Sequence, residues 1–83
     1  MHKVEVYGDD WCGDTQRTRQ HLNRLGVAYE YINLEQDPRA AAWVKEQNSG
    51  KEKKPTVKIG EQVLTVPSDQ ALENALRQKG LVS

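Results

Sequence analysis

The chain has 83 residues, a length at which only about 60% of the unfolded surface can be buried, so one small domain with a lean core is expected. Twelve Lys and Arg balance twelve Asp and Glu, and this zero net charge excludes a nucleic-acid binder working by bulk charge. No apolar run approaches the ~18 residues of a membrane span, and one cysteine excludes an internal disulfide framework. The N-terminus reads directly as strand, without the apolar core of a signal peptide, so a cytoplasmic chain is expected; it is taken as a monomer. Residues 2–7 alternate in polarity, with Val4 and Val6 on one face. Gly8-Asp9-Asp10 reads as a loop. From about Cys12 to Leu25 the pattern is helical, with Thr15, Thr18, Leu22 and Leu25 on one stripe and Gly26 placed to stop it.

Val27 to Leu34 is β-branched and aromatic, the composition of a second strand. Asp37-Pro38 gives an N-cap followed by proline at the first helical position. That helix is expected to run to about Asn48, burying Ala41, Ala42 and Val44, with Trp43 as a packing residue. The charged loop Lys51-Glu52-Lys53-Lys54 ends at Pro55. Thr56–Ile59 and Gln62–Val66 are short strands joined by Gly60-Glu61, the order a type II′ turn favours. Ser68 caps a last helix carrying Leu72, Ala75 and Leu76, which Gly80 ends. The string β-α-β-α-β-β-α, with a right-handed crossover in its first βαβ unit, predicts a four-stranded mixed sheet flanked by three helices. This is a thioredoxin-like α/β arrangement, taken as a single domain over residues 1–83.

Trp11-Cys12-Gly13-Asp14-Thr15 is the chemically loaded segment. It joins a strand to a helix, so Cys12 sits where unsatisfied backbone N–H groups favour a thiolate. The residue types point to a nucleophilic or redox cysteine; the alternative is a small buried hydrophobe. His2 and His21 lack partners at metal-ligand spacing, so no metal site is expected, and His21 reads as a partly exposed helix residue.

The sequence resembles glutaredoxins, in particular their mycoredoxin-type branch. The resemblance runs from Val4 to about Leu76, through Val6-Tyr7, Trp11-Cys12-Gly13, Gly26-Val27-Ala28-Tyr29, Asp37-Pro38-Arg39-Ala40-Ala41-Ala42, Pro55-Thr56-Val57, Leu64-Thr65 and Pro67-Ser68. It implies that Cys12 attacks a mixed disulfide and that the Lys54–Pro55 bond is cis, beside the cysteine. It further implies that Lys54 and Pro55 orient a substrate backbone while Ser68 and Asp69 hold a small-thiol cosubstrate, glutathione or mycothiol. Trp11 would lie exposed beside Cys12, touching a partner or covering the site. No tightly bound cofactor is implied, and the partners would be the small thiol and disulfide-containing protein substrates.

The sequence departs from that pattern in three places. Thr15 replaces the second cysteine, leaving only a monothiol route in which a thiol from solution resolves the adduct. Its hydroxyl is free to reach the Cys12 sulfur or its own helix carbonyl. Asp9 stands where glutaredoxins often carry lysine, and with Asp10 and Asp14 it surrounds Cys12 with carboxylates. Each would oppose the thiolate by about 0.5 kcal/mol at ~8 Å, against about 0.3–1 kcal/mol from the helix terminus. Lys54 precedes the proline in place of an uncharged residue, and would face Cys12 or pair with Asp14. Two functions are therefore expected to compete: a monothiol oxidoreductase, and a redox-inactive module binding a partner through the groove around Cys12 and Pro55.

Overall fold

A computed structural model describes residues 2–83. Seven elements follow one another: β1 (Val4–Gly8), α1 (Gly13–Leu25), β2 (Glu30–Asn33), α2 (Pro38–Gln47), β3 (Thr56–Ile59), β4 (Gln62–Thr65) and α3 (Asp69–Gln78). The sheet order is β2-β1-β3-β4. β1 and β2 are parallel, with Val6 opposite Tyr31, whereas β1–β3 and β3–β4 are antiparallel. This is the mixed four-stranded sheet and the element order expected from the sequence.

Alternation along β1 sorts the layers, because successive side chains leave a strand on opposite faces. Val4 and Val6 join Val57 and Ile59 of β3 in one core with Leu22 of α1 and Leu72, Ala75 and Leu76 of α3. Tyr7 leaves by the other face and meets Trp43 of α2, ring centroids 4.8 Å apart. Asp37 caps α2 by accepting from the Ala40 N–H at 3.0 Å, and Ser68 caps α3 by accepting from the Ala71 N–H at 3.1 Å. Gly60 turns the β3–β4 hairpin at a φ of 60°, while Glu61 keeps a negative φ, as a type II′ turn requires.

Several boundaries differ from expectation. β2 begins at Glu30 and not at Val27, because pairing with β1 extends only over Glu30–Asn33. Val27 is instead buried beyond the end of α1, donating its N–H to the Leu22 carbonyl at 3.1 Å. β1 takes in Gly8 and omits residues 2 and 3. By contrast, Gly80 ends α3 as expected: after the Lys79 cap it takes the left-handed conformation, φ 74°, and donates its N–H to the Arg77 carbonyl at 3.1 Å. Ala42 is exposed, since α2 buries Val44 and only partly covers Ala41 and Trp43.

His21 is buried, contrary to its reading as a partly exposed residue. It lies on the stripe of α1 that faces α3, with Nε2 2.8 Å from Glu73 Oε1 and Nδ1 4.0 Å from Asp69 Oδ2. The residue three positions after Thr18 shares its face, and acidic residues on α3 supply a polar environment there.

Candidate active site

The crossover from β1 to α1 sets the position of Cys12. Backbone geometry makes it the N-cap of α1, with φ −85° and ψ 117°, and its carbonyl accepts the Gln16 N–H at 3.1 Å. The thiol is half-buried and donates to the Lys54 carbonyl oxygen at 3.7 Å. That carbonyl belongs to the Lys54–Pro55 peptide bond, which is cis. Pro55 is fully buried, and its own carbonyl accepts the Val66 N–H at 2.8 Å. Val66 thus leaves the expected β4 and holds a φ of 44°, a left-handed value uncommon for a β-branched residue. Cys12, the Lys54–Pro55 bond and Val66 therefore lie in one hydrogen-bonded sequence across three segments.

Each of the three aspartates around Cys12 has acquired a partner. Asp9 is buried and takes Lys54 Nζ at 2.6 Å on Oδ2, while its Oδ1 accepts the Trp11 N–H at 3.1 Å. The Lys54 ammonium lowers the Asp9 carboxyl below its ordinary value, and Asp9 in turn raises Lys54. Asp10 accepts from the Tyr31 hydroxyl at 2.8 Å and lies 3.9 Å from Arg19. Burial, then the Asp10 carboxylate, pushes that phenol up to about 12. Asp14 pairs with Arg17 at 2.8 Å. The carboxylates expected to surround Cys12 are thus each paired, and Lys54 pairs with Asp9 rather than with Asp14.

Thr15 sits under the site. Its side chain is completely buried, and among the described residues Oγ1 has no hydrogen-bond partner, so it reaches neither the Cys12 sulfur nor its own helix carbonyl. It packs on Gly8, where an added Cβ would lie 2.4 Å from Oγ1. Trp11 is 87% exposed, so it does not cover the site.

Pro67 and Asp69 are tied to α1 by Arg17, a residue that no sequence motif singles out. Its guanidinium reaches Asp14, donates to the Pro67 carbonyl at 3.1 Å and lies 3.4 Å from Asp69 Oδ1. The i,i+3 spacing from Asp14 was the local signal for it. Among the described residues no group of three or more His, Cys, Asp or Glu could hold a metal ion. No helix among them is long and apolar enough to cross a membrane.

Residues 4–64 match the sequence profile of glutaredoxins. The chain belongs to the glutaredoxin family. It is 34% identical over 61 residues to Mycoredoxin 1 of Corynebacterium glutamicum, covering 74% of this chain and 75% of that one. A glutaredoxin from Archaeoglobus fulgidus superimposes with a TM-score of 0.79 at 27% identity, covering 93% of this chain and 88% of that one. NrdH-redoxin from Escherichia coli shares the fold, with a TM-score of 0.77 at 21% identity over 87% of this chain and 92% of that one.

Proposed function

We propose that this glutaredoxin is a monothiol thiol–disulfide oxidoreductase acting on mixed disulfides between a protein and a small thiol. The supporting observation is the placement of Cys12 at the N-cap of α1 with its sulfur against the Lys54 carbonyl. At a helix start the first backbone N–H groups have no intrahelical acceptor, and the Lys54 carbonyl marks where a substrate backbone would lie.

In this reading the Cys12 thiolate attacks the small-thiol sulfur of the mixed disulfide. The protein–small-thiol S–S bond breaks as a Cys12–small-thiol S–S bond forms, and the protein thiolate leaves to take a proton from water. A second small thiolate then attacks the adduct. Cys12 is released as a thiolate, and the oxidising equivalents depart as the small-thiol disulfide. Chain composition supports that route: with Cys12 as the only cysteine of the sequence, no internal thiol is present to resolve the adduct.

Lys54 and Pro55 would orient the substrate backbone, and Trp11 would offer an exposed ring to a protein partner. A small-thiol carboxylate would sit at the start of α3, where the first N–H groups have no intrahelical acceptor. The Ser68 hydroxyl is spent on Ala71, so Ser68 and Asp69 would bind mainly through backbone N–H groups. Similarity to Mycoredoxin 1 makes mycothiol the first cosubstrate to try, with glutathione beside it. The reading takes the 83 residues as one monomeric domain of the cytoplasm, with no resident cofactor. Turnover of a mixed disulfide with either thiol, wild type against Cys12→Ser, tests it. Activity that disappears with Cys12 supports the enzyme, whereas none in the wild type favours a binding module using the same groove.

A further inference from the structure

Four contacts close a ring around Cys12. Lys54 Nζ donates to Asp9 Oδ2 at 2.6 Å. Asp9 holds the next turn of chain twice, through Trp11 N–H to Oδ1 at 3.1 Å and through Cys12 N–H to its own carbonyl at 3.4 Å. The Cys12 thiol returns to the Lys54 carbonyl at 3.7 Å. The Asp9 side chain is 10% exposed and that of Lys54 29%, so water competes weakly for the carboxylate. Glu52, 3.5 Å from Lys54 Nζ, is the other acid at this cation.

We propose that Asp9 and Lys54 act as a positioning pair, fixing the line of Cys12 Sγ against the Lys54–Pro55 loop throughout disulfide exchange. Of the ring's contacts, the thiol–carbonyl bond vanishes once the sulfur enters a mixed disulfide, because its proton is gone. Among the described residues the Asp9–Lys54 pair is then the polar connection left between the two loops. The reacting sulfurs must be collinear, and no single element sets that line: α1 carries one side and the loop before β3 the other. Position 54 supplies the cation and position 9 its anion. Neither residue touches a reacting atom with its side chain; both act through the backbone they hold.

This rests on the proposed exchange reaction, and its test separates the two ideas. Exchange of a peptide–small-thiol disulfide is measured for wild type, Asp9→Asn, Lys54→Met, the double variant and Lys54→Arg. Trp11 and Cys12 amide hydrogen exchange is followed in parallel on the same proteins. A positioning pair predicts that both single variants slow exchange by about 10–100-fold, the scale of a 1 Å misplacement. The double variant should be no slower than either single one, since the second change has nothing left to break. Lys54→Arg should stay within about threefold of wild type, because its guanidinium also pairs with carboxylate. Trp11 and Cys12 amides should lose protection equally in both single variants.

Were charge at the sulfur the whole effect, Asp9→Asn and Lys54→Met would move the rate in opposite directions, and that result overturns the proposal. So does a double variant showing the product of the two losses. Absence of exchange in the wild type would remove the enzymatic reading alone. The positioning pair would then stand or fall on whether both single variants expose the same two amides.

Discussion

Gly8→Ala is the substitution whose cost the structure fixes most closely. An ideal Cβ at Gly8 lies 2.4 Å from Thr15 Oγ1, 2.7 Å from its Cγ2 and 3.1 Å from its Cβ. Optimal carbon–carbon contact is about 3.5–4.0 Å, so the overlap with Cγ2 is about an ångström, at a side chain with no exposure. Rotating Thr15 leaves one branch facing the strand, so the strain must pass to β1 or to the first turn of α1. Overpacking of this kind costs about 1–3 kcal/mol, and two simultaneous clashes place it at about 2–3. At roughly 4–8 °C per kcal/mol for a domain this size, the melting midpoint falls by roughly 8–24 °C. Thr15→Ala alone loses a methyl but also an unpartnered hydroxyl, so it stays within about 1 kcal/mol of wild type. The double variant retains only the 3.1 Å contact and recovers about 1–2 kcal/mol as coupling. Thermal unfolding of the four proteins completes the cycle. A Gly8→Ala midpoint within about 2–4 °C of wild type, the size of a neutral surface change, would refute the packing argument.

Other perturbations have equally definite outcomes. Lys54 depresses the Asp9 carboxyl below 3.8, so the stability it adds is complete above that pH and disappears as pH falls through the lowered value. Melting curves of wild type and Asp9→Asn should therefore differ near neutrality and converge in acid; a constant gap contradicts the linkage. Ser68→Ala removes the hydroxyl that accepts the Ala71 N–H and should cost about 1 kcal/mol, read as a lower urea midpoint; no loss would deny the cap. Thr15→Cys places a second thiol three residues after Cys12 and should oxidise to an internal disulfide, seen by mass as the loss of two hydrogens. Failure to close it would show that the buried side of α1 does not face Cys12 closely enough.

The layers were legible because the residues that build them announce themselves locally. Val4 and Val6 alternate, Asp37-Pro38 and Ser68 mark helix starts, and Gly60-Glu61 specifies its turn. Val27–Tyr29 misled because β-branched and aromatic residues suit a strand wherever they fall, while the start of pairing with β1 depends on register. His21 was misread because its neighbours on α3, Asp69 and Glu73, are supplied by tertiary packing. Cys12 and the Lys54–Pro55 bond were brought together through the family resemblance. The partner of Asp9 was not legible, since Lys54 lies 45 residues away and a count of nearby charges says nothing about pairing. Asp10 and Tyr31, 21 residues apart, make the same point.

The central claim is that a second thiol from solution, and no group of the protein, resolves the Cys12 adduct. Wild-type protein loaded at Cys12 with mycothiol or glutathione, then mixed rapidly with the free thiol, reports that step directly. The account predicts one adduct per chain, carried on Cys12, and a release rate rising in direct proportion to thiol concentration through the origin. A release rate independent of thiol, or a folded Cys12 that takes up no small thiol while the unfolded chain does, would contradict it.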